Sequence, residues 1–172
     1  MTEFSRAERI DTIGEGERQI TIAATADERA ALAARFGVVD IEGLTATLGV
    51  RREAAGIHVE GRVTAALVQA CSITDDPIAV SIDEPVALLF VSPGSAAVDE
   101  IELGEDALDT VEIAGSSIDL GEVAATTMAL ALDPFPRGPN AAAALKKAGV
   151  LTEEEARPKS PFADLKAKME RG

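Results

Sequence analysis

The chain has 172 residues, 47% of them apolar, which suits one ordinary domain with a real core and a tail or two. It has no Trp or Tyr and five Phe, so Ala, Val, Ile and Leu must build the core, and aromatic platforms for stacking bases are nearly absent. A net charge of −14, one Cys and one His exclude a strongly basic nucleic-acid binder, an intramolecular disulfide and a zinc-finger cluster.

Residues 17–24 alternate around Ile20 and Ile22 and predict a strand. Thr25 and Glu28 then have the spacing of a capping box, Leu32 and Phe36 share a helix face, and Gly37 suits a left-handed ending, so a helix is expected over about 26–36. Leu44, Ala46, Leu48 and Val50 alternate with polar or small residues, and Ile57, Val59, Gly61 and Val63 repeat the pattern beyond Glu53-Ala54-Ala55-Gly56. A four-residue hairpin there sets Val50 against Val59 and Leu48 against Gly61, with Arg51 and His58 on the wet side.

From Val63 to Cys71 both faces turn apolar, which predicts a strand in the middle of the sheet. Thr74-Asp75-Asp76-Pro77 reads as a turn, and Ile78, Val80 and Ile82 begin a strand that Glu84-Pro85 interrupts and Val86–Val91 resumes. Residues 92–110, rich in Ser, Gly, Asp and Glu, read as an acidic surface loop, followed by a short extended piece near Val111–Ile113. Asp119 and Glu122, at capping-box spacing, introduce a helix with Leu120, Val123, Thr127, Leu130 and Ala131 on one face, stopped by Asp133-Pro134.

The expected fold class is therefore α+β: an antiparallel sheet, a meander either open or barrel-like, with two or three short helices and a flexible C-terminal tail. Residues 1–136 form the single domain, and 137–172 a linker ending in a short basic amphipathic helix. In that helix Ser160 caps, Pro161 opens the first turn, and Phe162, Leu165 and Met169 share one side.

Charge is distributed in three blocks. Residues 1–62 hold eight basic and eleven acidic side chains, 63–136 hold fourteen acidic and no basic ones, and 137–172 hold eight basic and five acidic ones. Phosphate binding depends on Lys and Arg displacing counterions, so the middle block is expected to contact neither RNA nor DNA, and RNA contact falls to the basic ends. The acidic block reads either as a solvating surface or as a docking face for a basic partner such as a ribosomal protein. No signal peptide and no run of roughly 18 apolar residues is present, so a cytoplasmic chain without membrane contact is expected.

No catalytic signature stands out. His58 and Cys71 have opposite parity along one strand, so their side chains leave opposite faces, and Cys71 by itself reads as a small buried apolar residue. The carboxylates Asp99, Glu100, Glu102, Glu105, Asp106 and Asp109 lack calcium-loop spacing, so no metal or cofactor is expected.

Several ordered segments resemble the YceD-like proteins in their alphaproteobacterial form. They are Glu3-Phe4-Ser5-Arg6, Val68–Thr74, Asp83–Phe90, Ile118-Asp119-Leu120-Gly121-Glu122, Leu130–Arg137 and Ser160–Leu165. The resemblance implies a large ribosomal RNA subunit accumulation protein, acting in synthesis, processing or stability of that RNA, with genes often beside one for a large-subunit ribosomal protein. It implies no catalytic residues. Many relatives carry Cys-x-x-Cys where this chain has Cys71 and Thr74, so a metal or redox role for that pair does not carry over.

The function expected is a non-enzymatic factor that binds a ribosomal protein or ribosome-assembly factor; the alternative is a carboxylate- and metal-dependent RNA-processing enzyme. Asp133, Pro134, Phe135, Pro136 and Arg137, with Pro161, Phe162 and Leu165, are the expected interaction residues. Two prolines hold Phe135 beside a cation at little entropic cost, or Phe135 folds back to close the core.

Overall fold

The computed structural model describes residues 3–93 and 109–150. Its core is a five-stranded sheet in the order β2(Arg18–Ala23), β3(Asp40–Glu53), β4(Gly56–Ala70), β5(Pro77–Val91) and β6(Asp109–Glu112). A separate two-stranded ribbon joins β1(Ala7–Arg9) to β7(Ser117–Asp119). The helices are α1(Ala26–Phe36), α2(Leu120–Leu130) and α3(Ala141–Lys147), and a 3-10 turn spans Ile10–Thr12. The class is α+β as expected, and the described sheet is open, with β2 and β6 as its edges.

The β3–β4 hairpin has the register that alternation dictates: Val50 opposes Val59, Leu48 opposes Gly61, and Arg51 opposes His58. Its turn is tighter than expected, because Glu53 and Gly56 already pair and leave Ala54-Ala55 as the loop. Gly61 is required by contact. A Cβ there would lie 2.1 Å from the Thr47 carbonyl oxygen.

Alternation also decides which face is covered. Leu44, Leu48 and Val50 of β3 join Ile57, Val59, Val63 and Leu67 of β4 on the buried face. Leu32 of α1 and Leu120, Ala124 and Met128 of α2 pack against them, giving two layers. The opposite face carries Thr21 and Thr47, whose hydroxyls lie 3.3 Å apart.

Helix α1 begins and ends as its residues require. Thr25 accepts from the Glu28 N–H, the Glu28 carboxylate accepts from the Thr25 N–H, and Gly37 closes the helix at φ 67°. Helix α2 is capped by Asp119, which accepts from the N–H groups of Gly121 and Glu122. The expected box does not close there, because the Glu122 side chain goes to Arg35 instead.

Four other expectations need correction. Strand β5 runs unbroken through Pro85, which opposes Arg62. Among the described residues no strand flanks β5 on its other side before Leu88, so the missing Pro85 N–H costs no ladder bond. Strand β6 pairs parallel to β5, adding a parallel edge to a sheet expected to be wholly antiparallel. The α2 face is Leu120, Val123, Ala124 and Met128, while Leu130 is 82% exposed. His58, expected in solvent, is 4% exposed. It stands between Arg51 and Leu89 on the polar sheet face, where these long neighbours cover it.

The N-terminal segment belongs to the core. Phe4 is fully buried, and its carbonyl oxygen would lie 2.3 Å from a Cβ on Gly121, so the first turn of α2 needs a glycine for the N-terminal segment to cross it. At the other end, Pro136 and the first residues of the expected linker lie against the turn between β4 and β5. Ser72 donates its N–H to the Pro136 carbonyl at 2.8 Å, Asn140 donates to Asp76 at 3.1 Å, and Ala141 is buried.

Candidate interaction site

A cavity of about 790 Å³ opens between α2 and the β5–β6 edge. Its buried apolar lining includes Val86, Phe90, Ile113, Ile118 and Val123. Glu84, Asp109 and Glu112 add exposed carboxylates, while Asp119 and Glu122 add carboxylates already engaged by Ser5 and Arg35. Among the described residues no Lys or Arg lines it. Such a groove suits an apolar side chain flanked by positive charge.

Asp119 organises one wall. Burial opposes its ionisation, but the Ser5 hydroxyl and the N–H groups of Arg6, Glu122 and Gly121 outweigh this and hold its carboxyl below the usual range. The charge it keeps faces the positive end of α2.

The expected interaction residues lie partly in view. Asp133 accepts the Phe135 N–H at 2.9 Å, a local turn that holds the following Pro-Phe-Pro segment outward. Phe135 is 72% exposed, which removes the alternative that it closes the core. Arg137 is exposed as well. Pro161, Phe162 and Leu165 lie outside the described residues, as do residues 94–108, with the acidic side chains from Asp99 to Asp106.

The same segment abuts the end of β4. Gln69 donates from Nε2 to the Asp133 carbonyl at 3.0 Å, and the Gly138 N–H points to Cys71 Sγ at 3.3 Å. Cys71 is buried, as expected, but it is not a plain apolar filler. The Thr74 hydroxyl, then the N–H groups of Gly138 and Ile73, draw its thiol down to about 7 against the effect of burial. Thr74 also donates to Asp76 at 2.8 Å, so one hydroxyl proton serves two acceptors, whereas the backbone N–H groups are undivided.

Positive charge on the N-terminal side is internally committed. Arg6 binds Glu28, Arg9 binds Asp11, Arg18 binds Glu8, and Arg62 binds Asp83. Arg35 binds Glu3 and Glu122, and Arg51 binds Glu17, Glu53 and Glu60. Arg29 and Arg52 donate to backbone carbonyls. Each of the six paired guanidiniums has a carboxylate beside it that would repel a phosphate.

A family model described as large ribosomal RNA subunit accumulation protein YceD matches residues 59–167. The chain belongs to the YceD family. The match starts in β4 and takes in the α2 groove, the Cys71 turn and the Phe135 segment. The YceD description ties the chain to accumulation of the large ribosomal RNA subunit. No curated protein and no solved structure matches it. Among the described residues no helix is long and apolar enough to cross a membrane.

Sequence reading singled out the acid-only block of this YceD chain but not the groove within it. Its signal was the coincidence of fourteen carboxylates, no cation and an apolar helix between residues 63 and 136. Nothing local announced that β6 would close one wall by parallel pairing.

Proposed function

We propose that this YceD-family chain is a non-enzymatic factor in large-subunit ribosomal RNA accumulation, and that it works by capturing a basic ribosomal protein or assembly factor in the groove beside α2. The observation that carries this reading is a cavity with a buried apolar lining, exposed carboxylates and, among the described residues, no lining cation. A basic amphipathic segment meets both demands, with apolar anchors inside and Lys or Arg outside. Polynucleotide meets neither.

The test replaces Glu84, Asp109 and Glu112 by Lys together and measures recovery of ribosomal proteins and RNA at low and high salt. Basic proteins should be lost and thermal unfolding should hold, since all three side chains are exposed. Undiminished capture would overturn the groove as the docking site. Incubation of the parent chain with ribosomal RNA and Mg²⁺ should leave the RNA intact; cleavage that travels with the purified chain would overturn the non-enzymatic part.

A further inference from the structure

The groove beside α2 exposes apolar surface as well as charge. Leu130, 82% exposed, and Val111, 38% exposed, are large apolar side chains in its lining. Asp109 and Glu112 are exposed beside them and, among the described residues, have no ion-pair partner. An occupant therefore has to bring apolar groups and positive charge together.

The chain carries such a segment itself. Residues 157–172 hold five basic and two acidic side chains, and Phe162, Leu165 and Met169 recur at helical spacing. Chain length permits the contact. Gly138 lies against Ile78 at the start of β5, and Glu84, at the groove, is six strand residues further on, or about 20 Å. The twelve residues from Val150 to Phe162 reach about 40 Å when extended, which covers that distance and the length of α3, about 10 Å, together.

We propose that residues 161–169 of this chain occupy the α2 groove, with Phe162 and Leu165 on its apolar lining and the neighbouring lysines toward its carboxylates, and that a basic partner enters by displacing them. The displacement rests on the reading above; the contact within the chain does not. A partner that binds only the open groove has its apparent affinity lowered by the fraction of time the groove is open.

The experiment compares the isotopically labelled full chain with its Phe162→Ser, Leu165→Ser double variant by NMR, following the methyl groups of Val86, Val111, Val123 and Leu130. These signals should move in the variant, while those of Leu32 and Leu44, in the core away from the groove, hold. Dilution of the parent should leave its spectrum unchanged, because the contact lies within one chain. A fluorescent peptide with the sequence of residues 157–172, added as the probe, should bind the variant about tenfold more tightly than the parent, the gain expected for a groove open about a tenth of the time. Groove signals that stay in place, a spectrum that changes on dilution, or equal peptide affinity overturns the inference. Capture of ribosomal proteins that fails after the groove reversal, with groove signals indifferent to the double variant, sinks this contact alone; groove signals that move while capture survives the reversal sink the partner reading alone.

Discussion

Arg6 and Glu28 are joined by two parallel hydrogen bonds of 2.7 and 3.0 Å, linking the N-terminal segment to the first turn of α1. The same carboxylate accepts the Thr25 N–H at 2.8 Å, so one side chain serves the helix cap and the strand together.

The Arg6 guanidinium, and then the Thr25 N–H, hold the Glu28 carboxyl down to about 2 from an ordinary value of 4.5. A depressed acid stabilises the folded chain above its unfolded value, and the contribution disappears as pH falls through the folded one. Stability should therefore decline between about pH 4.5 and 2. Glu28→Gln should flatten that part of the profile and cost about 1–2 kcal/mol near neutrality, allowing for partial solvent screening. Thermal unfolding across this pH range checks both.

Phe4→Ala should destabilise the fold by about 3–5 kcal/mol, the usual range for emptying a buried aromatic site. Gly121→Ala should act at the same place, since the new methyl group meets the Phe4 backbone. Chemical denaturation of both variants, with loss of exchange protection across β1 and β7 in the second, is the measurement. A mild effect of Phe4→Ala would mean that the N-terminal segment does not close the core.

Polynucleotide binding, where it occurs, should run through Arg137, Lys146 and Lys147 and the basic residues beyond them, because the arginines before residue 63 are committed internally. Neutralising those three should lower the salt dependence of binding by about one unit of slope for each phosphate that no longer meets a cation. Neutralising Arg9 and Arg62 should leave the slope unchanged. Anisotropy of a labelled ribosomal RNA fragment over a salt series separates the two outcomes.

Thr74→Val should raise the Cys71 thiol from about 7 toward its ordinary value of 9.0. In the parent, the lowered value stabilises the folded chain fully above about pH 9, and that contribution vanishes as pH falls through about 7. The variant should lose this alkaline advantage. Thiolate absorbance against pH, read alongside thermal unfolding, follows both effects.

Legibility in the sequence followed the range of the interactions involved. The α1 cap and the β3–β4 register depend on residues a few positions apart, and both match expectation to the residue. The α2 face was misjudged because the helix is apolar nearly all round, so periodicity could not choose Met128 over Leu130. His58 lay on the face that parity assigns to solvent, and its burial depends on the long side chains beside it. Phe4 sits in a charged stretch with no periodic partner, and its place becomes clear only when α2 crosses it. At the candidate site, Phe135 was named from its flanking prolines, whereas Gln69 emerged only once β4 met the Asp133 carbonyl.

Pro85 has one more effect. Along β5, from Pro77 to Ala87, the described sheet ends in backbone groups that a second molecule could extend into a stack of strands. A ring without an N–H, preceded by Asp83 and Glu84, interrupts that template at its middle and surrounds it with like charge. The residue that looked like a break in the strand is thus a safeguard against fibril growth.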